Sequence, residues 1–221
     1  MSSIPEPKII RSRRSSISLE ITSSGDILVK APLLIPKFMI QQFINEKSDW
    51  IEKTFQKVQL RQKKEKTYTE GELFLFLGKE YPLTFSPVTN IPIKDEKLHF
   101  PEVLKFRVQK ELASWYIQQA KEVITKRVDY HAEKMNASYT SLMFSDTKSK
   151  WGTCFPDNSL QFNWRLIMTP LMVLDYVVIH ELTHTTEKHH QASFWSKVRL
   201  YTPAYRQHKK WLDEHMHLLT V

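Results

Sequence analysis

Apolar and polar positions alternate along the first part of the chain and then give way to helical spacing. Ile17, Leu19 and Ile21, then Ile27, Val29 and Ala31, recur at every second residue on either side of Gly25-Asp26, which predicts a hairpin between Lys8 and Ala31. From Lys37 to Lys66, Met39, Ile40, Phe43, Ile44, Trp50, Ile51, Phe55 and Val58 follow helical spacing with charges between them, predicting one amphipathic helix. Phe74–Leu77 and Glu80–Ser86 flank Gly78-Lys79 as a second hairpin, and a short strand follows near Ile91–Phe100. Glu102–Met135 contains no glycine or proline and carries Leu104, Val108, Leu112, Trp115, Tyr116, Ala120, Val123, Ile124 and Val128 at helical spacing, predicting a long helix. Tyr139–Phe144 and Ser159–Asn163 read as strands around a turn at Pro156-Asp157-Asn158.

The remaining pattern is helical. Thr169-Pro170 offers a capping hydroxyl and a proline at the first helical position, and Leu171, Leu174, Val178 and Leu182 then recur as the buried side of a helix. Phe194, Trp195, Val198 and Leu200 continue as a further helix, and Thr202-Pro203 repeats the same start signal before Ala204–Leu219. These elements make an α+β protein. Residues 1–100 form a strand-rich region with one amphipathic helix, and residues 101–221 a helical half that it supports; the two could also be one continuous domain.

Composition narrows the class. A chain of 221 residues, 41% of them hydrophobic, suffices for a globular core. The single cysteine, Cys154, excludes an intramolecular disulfide framework. Neither an apolar signal core at the N-terminus nor a run of membrane-spanning length is present, so a cytoplasmic protein without membrane contact is the expectation. Thirty-two basic against twenty-four acidic residues give a net charge of +8, which draws polyanions and makes nucleic acid a conceivable partner. Arg11, Arg13 and Arg14, and the run from Arg61 to Lys66, read first as charges on a solvated strand edge and helix end, and only second as phosphate contacts.

The chemistry is concentrated in VVIHELTHTTEKHHQASFW, residues 177–195. On a helix His180 and His184 lie roughly 6 Å apart along the axis and on one face, so both imidazoles can reach one ion. Glu181 is poorly angled as a ligand but able to take a proton from a water at the metal. Catalytic zinc usually keeps three protein ligands and an open position, and His190 suits a helix ending near Thr186 and a chain that turns back, with His189 as its competitor. Cys154 reads as a buried thiol before a ligand, and Trp151 and Trp164 as packing residues. His131, His208, His215 and His217 read as surface histidines. Arg165 and Lys148 could orient a substrate carboxylate or bridge acidic neighbours.

The HELTH pentapeptide, the following histidine pair and SFW resemble the YgjP-like metallopeptidase family, relatives of the WLM and SprT-like zinc proteases. A second block, KSKWGTCFPDNSLQFNWRL from Lys148 to Leu166, is similar to that family's tryptophan-glycine block and the strand before its metal helix. Lys150, Thr153, Phe162 and His189 depart from its usual residues. The resemblance implies a zincin-like domain over 101–221 with one Zn²⁺ per chain on His180, His184 and His190, Glu181 as general base, and a protein or peptide substrate. No other cofactor site is indicated. Tyr201, Tyr205 and Lys148 are candidates for a second group on the scissile carbonyl, and the strand pair before the metal helix is a candidate ledge for an extended peptide. Two alternatives stand beside this reading: a nucleic-acid-associated protein, including a protease acting on DNA-bound proteins, and a metal-dependent hydrolase of non-peptide amides.

Overall fold

The computed structural model describes residues 4–22, 24–62, 66–147 and 150–221. The chain separates into two compact units, Met1–Glu65 and Lys66–Val221.

The first unit is a three-stranded sheet with two helices. Strands β1 (Lys8–Ser12), β2 (Ser18–Ile21) and β3 (Ile27–Pro32) lie in the order β1-β3-β2. The expected hairpin is the antiparallel β2/β3 pair, with Leu19 opposite Val29, and β1 adds a parallel edge that the alternation did not announce. Arg11 on that edge donates to the carbonyls of Pro32, Leu33 and Ile35, so its guanidinium is engaged by its own chain. Along β3 every second residue is buried, and Val29 and Ala31 close over Ile40.

The single helix expected from Lys37 onward is two, α1 (Lys37–Glu46) and α2 (Ser48–Gln62). Lys47 leaves helical geometry at φ −101°, ψ 8°, and its N–H is shared between the carbonyls of Phe43 and Ile44. Ile40, Ile51, Phe55 and Val58 stay buried on both sides of the break. An apolar stripe that keeps its phase through a break cannot reveal it. Of the basic run, residues 63–65 lie outside the described residues.

In the second unit, β4 (Leu73–Phe76) and β5 (Lys79–Ser86) form a hairpin, followed by β6 (Ile93–Lys94) and β7 (Lys97–Pro101). They order as β4-β5-β7-β6, with β5 and β7 parallel. Both turns use left-handed residues: Leu77 and Gly78 in one, Asp95 and Glu96 in the other. Gly78 also presses on the start of the helix that follows Pro170. A Cβ there would stand 2.7 Å from Pro170 Cα, and the Leu77 and Gly78 N–H groups donate to the carbonyls of Ile167 and Met168. Residues 66–100, grouped with the N-terminus by their strand content, therefore share their core with the helices: Phe74, Leu83, Leu98 and Phe100 join Tyr116 and Leu174 in one cluster.

A 3-10 turn, Glu102–Arg107, precedes α3 (Val108–Met135), which buries Val108, Leu112, Tyr116, Ala120, Ile124 and Val128. Residues repeating every four positions make that single stripe. Next come β8 (Leu142–Ser145), β9 (Gly152–Cys154) and β10 (Leu160–Asn163), a 3-10 turn at Trp164–Met168, and helices α4 (Leu171–Thr183), α5 (Ala192–Tyr201) and α6 (Tyr205–His215). Helix α4 is apolar on nearly every side and lies within the core. The Thr169 hydroxyl does not cap it; that hydroxyl donates back to the Leu166 carbonyl, and Pro170 occupies the cap position.

Arg127 on α3 grips Asp175 on α4 through two hydrogen bonds, 2.6 and 2.8 Å, and His131 adds a contact of 3.2 Å to the same carboxylate. His131 is buried, against the expectation of a surface residue, because it completes this ion pair between helices. Among the described residues no helix is long and apolar enough to cross a membrane.

Candidate metal centre

Helix α4 ends where its chemistry begins. His180 and Glu181 sit in its last turn and His184 caps it, its N–H bonded to the carbonyls of His180 and Glu181. The chain then turns through Thr186 and Glu187, whose N–H groups donate to the Thr183 carbonyl, and this brings His190 back over the helix end. Nε2 of His190 lies 3.0 Å from Nε2 of His180 and 3.1 Å from Nε2 of His184. All three ligand atoms fall within 4.8 Å of one another, and among the described residues this is the one group of histidine, cysteine and acidic side chains so arranged. His189, one residue earlier, is outside it.

The three nitrogens fit an ion. Tetrahedral ligands on Zn–N bonds of about 2.0–2.1 Å would stand roughly 3.3 Å apart, close to the separations found. His184 Nδ1 is 2.9 Å from the Glu187 carbonyl, so it carries the proton there and its Nε2 presents a lone pair. Burial drives the His180 pKa to about 3, with the neighbouring His184 and His190 acting in the same direction, and burial also lowers that of His184. Neutral imidazoles are the form that binds metal. His180 Nδ1 is buried with no partner among the described residues, so no protein acceptor holds that ring. Phe194 on α5 does so by packing, with its ring 4.9, 4.5 and 4.7 Å from those of His180, His184 and His190. Trp195 stacks on His190 at 5.6 Å and on Tyr205 at 5.2 Å, which accounts for the Phe-Trp pair in the sequence.

Glu181 stands beside this group and outside it. Its side chain is almost fully buried, and burial raises its pKa to about 7 against the opposing effects of a hydrogen bond from the Cys154 backbone N–H and the nearby Lys150. Gly152 makes room for it: a Cβ on that glycine would lie 2.6 Å from Glu181 Cγ and 2.7 Å from Oε1. Gly152 was missed in the sequence. Its one available signal is that it is among only four glycines in the chain.

Strand β9 supplies both contacts and was also not anticipated. The sheet orders β8-β10-β9, so of the strand pair expected as a ledge β10 (Ser159–Asn163) is central and has no edge to offer a peptide, while β8 lies at an edge. Asn163 N–H bonds to the Trp151 carbonyl and Phe155 N–H to that of Ser159, so in this antiparallel pair the alternate residues, Gly152 and Cys154, turn their backbone groups away from β10. The edge beside Glu181 therefore belongs to β9.

The other candidates separate. Cys154 is half-buried, with its thiol pKa raised by burial, and lies outside the histidine group. Arg165 pairs with Asp146 and packs over Trp164, the acidic-neighbour reading. The Tyr205 hydroxyl accepts from Arg206, and Tyr201 lines a different cavity with His131, Asp175 and His208. Lys148 lies outside the described residues. Lys150 borders two cavities at the site, one of about 250 Å³ lined by Trp151, Tyr176, Val177, Lys209 and Leu212, and a second reaching Cys154, Lys188 and His190.

A family model described as "YgjP-like, metallopeptidase domain" matches residues 15–215. No curated protein and no solved structure matches the chain.

Proposed function

Because the chain belongs to the YgjP-like metallopeptidase family, we propose that it is a zinc-dependent peptidase in which His180, His184 and His190 hold the metal and Glu181 is the general base. The convergence of three imidazole nitrogens, with His190 Nε2 at 3.0 and 3.1 Å from those of His180 and His184, next to a buried carboxylate supports this most directly. Zinc held there would supply Lewis acidity toward water and toward the scissile carbonyl.

The rest is done by the protein. Glu181 takes the proton of the attacking water and returns it to the leaving amine, its burial favouring the protonated form that makes the return. The Cys154 N–H and the close face of Gly152 fix the carboxylate in the orientation this requires. The outward edge of β9 gives an extended peptide backbone groups to pair with, which favours peptides over small amides. Lys150 is the cation best placed to stabilise negative charge developing on the carbonyl oxygen.

Elemental analysis of untagged protein expressed with zinc should find about one equivalent per chain. Glu181→Gln should retain that zinc and lose hydrolysis of a peptide pool followed by mass spectrometry. A variant that loses its zinc instead would make Glu181 a ligand and overturn the assignment.

A further inference from the structure

Two cavities flank Glu181, and each is rimmed by ammonium groups. Lys150 borders both, Lys209 and Asp213 border the one over Val177 and Leu212, and Lys188 borders the one beside Cys154 and His190. Apart from Glu181 itself, Asp213 is the one carboxylate lining either cavity.

Lys150, Lys188 and Lys209 form no salt bridge among the described residues. Lys210 on α6 reaches Glu214 one turn on at 3.7 Å, yet Lys209 and Asp213, at the same spacing on the same helix, make no such contact. Lys188 is held in place by a neutral partner, donating to Asn158 Oδ1 at 2.5 Å, with the Asp157 carboxylate near enough to feel its charge but not in a salt bridge with it. Lys150 lines both cavities together with His180 and Glu181, and Lys209 lines one of them with the same two residues and Asp213.

Three lysines that form no salt bridge line the two cavities, one of them floored by Trp151, Tyr176, Val177 and Leu212, and offer a seat for anionic groups on the substrate. We propose that the substrates are acidic peptides, carrying carboxylates on residues next to the scissile bond that pair with Lys150 and with Lys209 or Lys188. This rests on the peptidase reading above and adds the substrate class to it. The carboxylate could be an Asp or Glu side chain or the peptide's own C-terminus; the lysines recognise the same group in both.

The test is a binding measurement, so that it does not depend on turnover. Full-length Glu181→Gln protein is titrated calorimetrically with decapeptides of one sequence that carry Gln, Glu or Lys around the central bond, each with an amidated C-terminus, and with the Gln peptide bearing a free C-terminus. The Glu peptide should bind about tenfold tighter than the Gln peptide at low salt, with the advantage shrinking as salt rises. The Lys peptide should bind more weakly than either. Lys150→Met, Lys188→Met and Lys209→Met should each reduce the Glu-to-Gln ratio severalfold, and the corresponding arginine variants should restore it. A gain confined to the free C-terminus would identify the terminal carboxylate as the source.

A Glu-to-Gln ratio near one with no gain from the free C-terminus either, or a carboxylate preference that survives all three methionine variants, would overturn the proposal. So would displacement of the Glu peptide by a single-stranded oligonucleotide of equal charge at lower concentration, which would assign the lysines to phosphate. The two readings fail separately. Cleavage of neutral and acidic peptides at equal rates would leave the peptidase standing without this specificity, and selective binding without zinc or cleavage would do the reverse.

Discussion

The contact between Gly152 and Glu181 makes a prediction that separates chemistry from stability. In Gly152→Ala the new methyl would sit 2.6 to 2.8 Å from Glu181 Cγ, Oε1 and Cδ. To reach the 3.4 Å of ordinary contact the carboxylate arm must retreat by about 0.8 Å. Gly152 is not among the glycines with positive φ, so alanine introduces no backbone strain, and the atoms it strikes belong to a side chain that can swing. The stability cost should therefore sit near the lower end for overpacking, about 1 kcal/mol, or a Tm shift of about 2–4 °C. The catalytic cost should be far larger. Displacing a reacting group by ~1 Å costs on the order of 100-fold, equivalent to about 2.7 kcal/mol of transition-state stabilisation. Parallel measurements of zinc content, thermal unfolding and kcat/KM on any cleaved peptide check this: zinc and fold retained, turnover lost. Activity within about threefold of wild type, or loss of zinc in place of turnover, would refute the argument that Gly152 exists to seat the base.

Two further outcomes are expected. His190→Ala should lose zinc on dialysis against a mild chelator, whereas His189→Asn should keep both zinc and activity, because only the His190 ring reaches the other two nitrogens; the opposite result would shift the ligand by one residue. Asp175 should give the fold an acid-sensitive component. Burial raises its pKa, but hydrogen bonds from His131 and Arg127 outweigh this and hold it below the ordinary value. A lowered folded pKa stabilises above the unfolded value, about 3.9, and that contribution is lost as pH falls through the folded one. Asp175→Asn should therefore cost about 3 kcal/mol at neutral pH, at the lower end for a broken buried pair because the carboxylate is 17% exposed. In urea unfolding the gap between wild type and variant should hold from pH 5 to 7 and narrow below about pH 4; a gap that widens in acid would contradict the ion pair.

Periodicity and local spacing were enough for the long elements and the heart of the site. His180, Glu181 and His184 could be placed on one helix because a helix repeats every few residues, and the unbroken run from Val108 to Met135 reads directly as α3. His190 was within reach for a similar reason, since the turn that returns it to the helix end is only a few residues long. What depended on partners distant in sequence was not legible. That β10 is flanked on both sides, and that the short β9 supplies the edge beside Glu181, follows from which strands pair, and alternation within a strand carries no record of its neighbours. Gly152 against Glu181, Gly78 against Pro170, and Arg127 with His131 on Asp175 are contacts between elements, as is the gathering of Lys150, Lys188 and Lys209 around one cleft. The sequence alone determined that His180, Glu181 and His184 share one helix and that a histidine pair follows it closely, because these residues lie within one turn and one short return of the chain. Only the tertiary structure decided what surrounds that helix, because close packing and charge placement arise where separate segments meet.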